Sequence, residues 1–126
     1  YGLRDGSGLS RLNRLTPNLL TSLLAKAVGN DHPQLRTLLA GLPVASYSGT
    51  LADRFGGERA TAGVGVVRAK TGTLSGVSSL AGMTVTVEGR ILTFAAVANG
   101  VPSGGGDSAE AALDQIAATL AQCGCQ

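Results

Sequence analysis

The chain has 126 residues, enough for one domain with a modest core, and 44% apolar against 14% charged residues excludes a disordered segment. A net charge of +2 is too small to argue for a nucleic-acid or membrane-surface partner, and no apolar run approaches the roughly 20 residues of a membrane span. Nineteen glycines and very few aromatics foretell tight turns and close backbone approaches.

The first stretch, "DGSGLSRLNRL", reads as a turn-rich loop shaped by Asp5, Gly6 and Gly8. Thr16 followed by Pro17 is an N-cap with proline at the first helical position, and "PNLLTSLLAKAV" carries apolar residues at helical spacing until Gly29-Asn30 stops it. "DHPQLRTLLAGL" repeats the pattern, with Asp31 as the expected cap, Gln34 three residues on and Gly41 at the end. From Pro43 to Val64 the periodicity dissolves into loop, with a short helical turn expected at "TLADRF".

Beyond Val64 the period changes. "GVVRAKTGTL", "SSLAGMTVTV" and "RILTFAAVAN" are strand-like runs, the last two joined by a hairpin turn at Glu88-Gly89-Arg90. The third run is almost wholly apolar, which predicts burial on both faces. "VPSGGGD" is a flexible link, and "DSAEAALDQIAATLAQ" is a closing helix with Asp107 or Ser108 as its expected cap. The sum is an α+β arrangement: an antiparallel three-stranded meander packed with helices, with an open edge unless further strands pair with it.

The chain starts Tyr1-Gly2-Leu3 with no basic-then-apolar leader, so targeting information is expected upstream. Cys123 and Cys125 are too close for unstrained mutual pairing, which leaves pairing with another segment open. With His32 as the sole histidine no metal site is expected, and His32 beside Pro33 reads as a helix-start residue.

The chemistry centres on Lys70, Thr71, Gly72 and Thr73. If this run is an edge strand beside a cleft, Lys70 offers a compact positive charge and the two threonines offer hydroxyls. Gly72 would let a substrate backbone lie close, and one amide, that of Thr73, would point at an oxyanion. Extended peptide could add to such an edge as a further strand. The same four residues also fit a solvated outer strand of no chemical consequence.

Three ordered motifs narrow the choice: "DGSGLSR" with Asn13, "LPVASYSGTLADRF" from Leu42 to Phe55, and "RAKTGTLSGVSSLAG" from Arg68 to Gly82. With the "FAAVANG" strand and the closing helix, the chain resembles the C-terminal part of the D-Ala-D-Ala carboxypeptidases of the penicillin-binding protein 4 type (class C low-molecular-mass penicillin-binding proteins, peptidase family S13). Its terminal "CGC" is similar to mycobacterial and actinobacterial members. The resemblance implies the C-terminal portion of a serine β-lactamase/DD-peptidase (transpeptidase-like) domain, residues 1–126 being one part and the rest lying upstream. It implies an active-site serine acting outside the cytoplasm on peptidoglycan stem peptides, acylated by β-lactam antibiotics, with no cofactor.

Such enzymes use Ser-x-x-Lys, Ser-x-Asn and Lys-Thr-Gly. Only the third is here. Ser22 to Lys26 and Ser10 to Asn13 are each one residue too long, and no asparagine has a serine two positions before it. The resemblance gives Lys70 and Thr73 catalytic roles, and gives Thr71, Thr73 and Ser75 the substrate's terminal carboxylate. Gly72 lies along the substrate, Leu74 flanks the side-chain pocket, and Arg11 either meets an acidic substrate group or braces its loop. Asp5, Ser7 and Ser10 are expected to shape that loop, and Ser48, Thr50 and Arg54 to tie down the long connection. A catalytically silent peptide-binding module and a related β-lactamase or esterase stand as alternatives.

Overall fold

A computed structural model describes residues 1–123. Helix α1 (Pro17–Val28) begins as the sequence dictates: the Thr16 hydroxyl accepts the Leu19 amide, and Pro17 fills a position whose N–H would go unused. The next helix starts otherwise. Pro33–Leu35 forms a 3₁₀ turn, and α2 spans Arg36–Ala40 with Leu35 at its N-cap. Asp31 therefore does not cap it, because Pro33 starts a tighter turn in which no side chain caps the free amides.

Strands β1 (Val67–Leu74), β2 (Val77–Val85) and β3 (Ile91–Asn99) form an antiparallel sheet in the order β1-β2-β3. Gly76 and Gly89 occupy the two hairpin turns at φ 77° and 79°, where a side chain would be strained. Gly82 opposes Ala69, and a Cβ there would stand 2.0 Å from the Arg68 carbonyl, so only glycine allows β1 to lie this close. Helix α3 (Gly106–Gln122) closes the described fold with Gly105 at its N-cap and no side-chain cap, so neither Asp107 nor Ser108 serves as expected. Cys123, just after it, is disulfide-bonded. Cys125 lies outside the described residues.

Strand alternation gives the sheet two faces. One carries Val67, Ala69, Leu80 and Phe94 and is buried with Leu51, Phe55 and α3's Leu113, Ala117 and Ala118. The other faces α1, which packs on β2 and β3. The expected full burial of β3 is not found: Phe94 alone is buried, while Ile91 and Val97 are exposed. β3 is an edge of this sheet, and α1 and α3 cover its apolar faces only in part.

The long connection is better built than its sequence pattern predicts. The helical turn expected at "TLADRF" is a 3₁₀ turn shifted to Gly49–Leu51, and a second follows at Glu58–Gly63. Ser46 and Phe55, at φ 57° and 65°, are non-glycine residues in the left-handed region, which roughly costs 1–3 kcal/mol each. Surrounding contacts hold them there. The Ser46 hydroxyl donates to the Arg54 carbonyl at 2.6 Å, and Phe55 is fully buried with its amide on Asp114. Arg54 reaches α3 by a two-pronged pair to Asp114 at 2.9 and 2.8 Å and an ion pair to Glu110 at 3.1 Å.

Candidate active-site wall

The outer edge of β1 is divided. Residues 43–45 run beside its first half, where the Ala45 amide donates to the Val67 carbonyl and the Ala69 amide to the Pro43 carbonyl. In an antiparallel strand, backbone groups point alternately to the two sides, so Thr71 and Thr73 also turn their N–H and C=O outward. No such neighbour covers them among the described residues. The edge predicted to be open is thus covered up to Ala69 and open from Lys70.

At the boundary Lys70 is exposed, and its Nζ donates to the outward Thr71 carbonyl at 2.8 Å. The Thr71 side chain lies on the buried-core side of the strand, where its hydroxyl donates to Thr50 Oγ1 at 3.0 Å. Thr73 is exposed with its amide on the open edge. Gly72 has a reason its sequence did not disclose. Ser79 on β2 stands opposite, donating to the Gly72 carbonyl at 3.1 Å, and a Cβ on residue 72 would meet that hydroxyl at 2.5 Å. A side chain on residue 72 would displace that hydroxyl from its bond.

Arg11, Leu74 and Ser75 come together. A groove of about 480 Å³ runs between the N-terminal loop and the β1–β2 turn, lined by these three with Leu20, Ser79 and Asn99. Lys70, Thr71 and Gly72 lie outside it, along the strand edge. Thr73, Leu74 and Ser75 also line a smaller cavity of about 290 Å³ against Ser78 and the start of α3. The predicted residues therefore form an edge with a groove at its far end.

The loop carrying Arg11 is clamped by Asp5, which accepts hydrogen bonds from the Ser7 hydroxyl at 2.7 Å, the Asn13 side-chain amide at 2.7 Å and the Ser10 amide at 3.1 Å. Ser7 foremost, then Asn13, holds the Asp5 carboxyl below its ordinary value near 3.8. Asn13 Oδ1 in turn accepts the Arg4 amide, and Gly2 and Arg14 exchange backbone bonds that close the loop. The expected loop-shaping roles of Asp5, Ser7 and Ser10 match this geometry. Those of Ser48, Thr50 and Arg54 do too: Ser48 Oγ accepts the Val44 amide, Thr50 meets Thr71 and Arg54 meets α3. Sequence reasoning missed Ser79 and Asp114, whose places follow from register and tertiary pairing. Among the described residues no group of three or more His, Cys, Asp or Glu side chains is arranged for a metal ion.

The profile of the D-Ala-D-Ala carboxypeptidase 3 (S13) family matches residues 1–120. The carboxypeptidase DacB of Mycolicibacterium smegmatis is 43% identical over 124 residues, which are 98% of this chain and 26% of that protein. The D-alanyl-D-alanine carboxypeptidase of Actinomadura sp. is 46% identical over 125 residues, 95% of this chain and 22% of its own. The crystal structure of penicillin binding protein 4 from Haemophilus influenzae superimposes with a TM-score of 0.82 at 30% identity, covering 96% of this chain and 27% of that one. The same Haemophilus protein has been solved complexed with a β-lactam. The chain spans about a quarter of the length of the relatives it matches.

Proposed function

Since the chain belongs to the D-Ala-D-Ala carboxypeptidase 3 (S13) family, we propose that it forms one wall of the acyl-transfer site of a longer serine peptidase. Residues 1–126 are then the C-terminal part of one DD-peptidase domain, with the Ser-x-x-Lys and Ser-x-Asn elements on sequence upstream. The observation that carries this reading is the divided edge of β1. Lys70 stands where the covering segment ends, and the outward amides of Thr71 and Thr73 follow it on open backbone.

An extended stem peptide pairs with that open half as an added strand. The upstream serine attacks the carbonyl between the two terminal D-Ala residues, the Thr73 amide stabilises the oxyanion, and D-Ala leaves with the proton transferred from the serine. Water then attacks the acyl-enzyme, releasing the shortened peptide and restoring the serine. Lys70 supplies the positive charge that orients the substrate and assists proton movement near the serine. Thr71 and Thr73 hold the terminal carboxylate with Ser75, and Gly72 keeps the edge close to the peptide. Leu74 and Arg11 border the groove that receives the side chain of the stem peptide. β-Lactams acylate the same serine. A peptidoglycan substrate places the protein outside the cytoplasm.

The test is acylation of the full-length protein by a fluorescent penicillin, resolved on a denaturing gel. Covalent label is expected, and Lys70→Ala should slow it by roughly 100- to 10,000-fold, the range for losing a group that assists proton transfer. A full-length protein that takes no label, or a Lys70→Ala variant labelled at the native rate, would sink the proposal.

A further inference from the structure

The segment from Ser46 to Phe55 is more firmly held than a connection requires. Left-handed backbone at Ser46, Gly49 and Phe55 bends it. The Ser46 amide donates to the Leu51 carbonyl at 2.9 Å, Leu51 is fully buried, and Arg54 is bound to α3. On the turn so fixed, Thr50 is exposed, yet its position is set by pinned neighbours. Pro43 stands only 3.1 Å from where a Gly49 Cβ would be, so a side chain on the residue before Thr50 would have to displace it. Backbone held in a costly conformation by several independent contacts points to a geometry that matters. What it delivers is one hydroxyl against Thr71.

Each threonine hydroxyl has one proton to donate and lone pairs with which to accept. With Thr71 donating to Thr50, the Thr71 proton is spent. A carboxylate accepts and cannot donate, so Thr71 binds one by releasing its proton from Thr50, which leaves its oxygen free to accept from another donor. Thr50 is that donor. We propose that Thr50 is a positioning residue of the carboxylate-binding wall: when a carboxylate arrives, the Thr50 proton turns to Thr71 Oγ1 and the Thr71 proton turns to the carboxylate. No proton is gained or lost by the pair. The inference rests on the reading of Thr71 given above, and assigns the group from which its oxygen accepts while its proton serves the carboxylate.

The experiment compares two acylating probes on the full-length protein: benzylpenicillin, with a free carboxylate, and its methyl ester, without one. Thr50→Val should slow acylation by benzylpenicillin by roughly 5- to 10-fold, the scale of one hydrogen bond, and leave the ester within about twofold. Thr50→Ser, which keeps the hydroxyl, should restore the native ratio, and Thr50→Ala should repeat the valine result. Equal slowing of both probes, or no slowing of either, overturns the proposal. Thr71→Val separates the two claims. If it lowers the benzylpenicillin-to-ester ratio while Thr50→Val does not, Thr71 binds the carboxylate without Thr50. If Thr71→Val also leaves the ratio unchanged, the carboxylate role of Thr71 falls, and the role of Thr50 falls with it.

Discussion

The two halves of β1 belong to one strand and share one pairing partner, yet they have opposite surroundings. Val67 and Ala69 are fully buried, and their outer backbone groups are taken up by residues 43–45. Lys70 to Thr73 are polar or side-chain-free, and among the described residues no backbone segment takes up the outer groups of Thr71 and Thr73. Exposed edges invite uncontrolled pairing, and among the described residues this fold shields its edge only as far as Ala69. Where the covering segment stops decides where, in the proposed site, a substrate could pair.

The comparison can be broken from the covered side first. Asp114 sits 60 residues from Arg54 and is almost wholly buried. Asp114→Ala would leave the Arg54 guanidinium buried with part of its partners gone, and the full-length protein is expected to lose about 3–5 kcal/mol in a urea unfolding titration. A loss under about 1 kcal/mol would mean that the brace is not what holds residues 43–55 to the sheet.

Paired glycine substitutions sharpen the contrast. Gly82→Ala puts a methyl against β1 backbone in the covered half and should cost about 1–3 kcal/mol, because the backbone has to move. Gly72→Ala in the open half meets only the Ser79 hydroxyl, which can rotate away at the loss of one hydrogen bond, about 1 kcal/mol. Equal costs in matched unfolding curves would erase the distinction between the halves.

The smallest effect concerns the N-terminal loop, which lines the groove beside the β1–β2 turn. The Asp5 pKa is lowered on folding, so its contribution is present above the ordinary aspartate value and is lost as pH falls through the lowered one. Titration of the Asp5 carboxyl by NMR should give a midpoint below 3.8, with the Asn13 side-chain amide shifting in step. An ordinary midpoint, or an Asn13 signal indifferent to pH, would dissolve the clamp.

How legible all this was in the sequence depends on the range of the interaction. Thr16-Pro17, Gly29 and Gly89 act within a few residues, and the structure places them where local chemistry requires. Caps at Asp31 and at Asp107 or Ser108 failed because 3₁₀ geometry at Pro33 and a glycine N-cap at Gly105 displaced them. The apolar run of β3 promised burial on both faces, but composition cannot say whether neighbours are close enough to provide it. At the candidate site, the Lys-Thr-Gly-Thr run and the tying role of Thr50 and Arg54 were readable. Ser79 beneath Gly72 and Asp114 beneath Arg54 were not, since strand register and helix docking create those pairs.

The 60-residue separation between Arg54 and Asp114 also has a meaning in time. A ribosome adding roughly 5–20 residues per second needs about 3–12 s between the two. Throughout that interval the Arg54 guanidinium and the Phe55 amide lack their Asp114 partner, whereas the contacts of Ser46 to Leu51 and Arg54 lie within the segment itself. The Lys-Thr-Gly-Thr run is likewise made before Asp114. Bracing of Arg54 and Phe55 is thereby tied to the emergence of α3, the last element of the described fold.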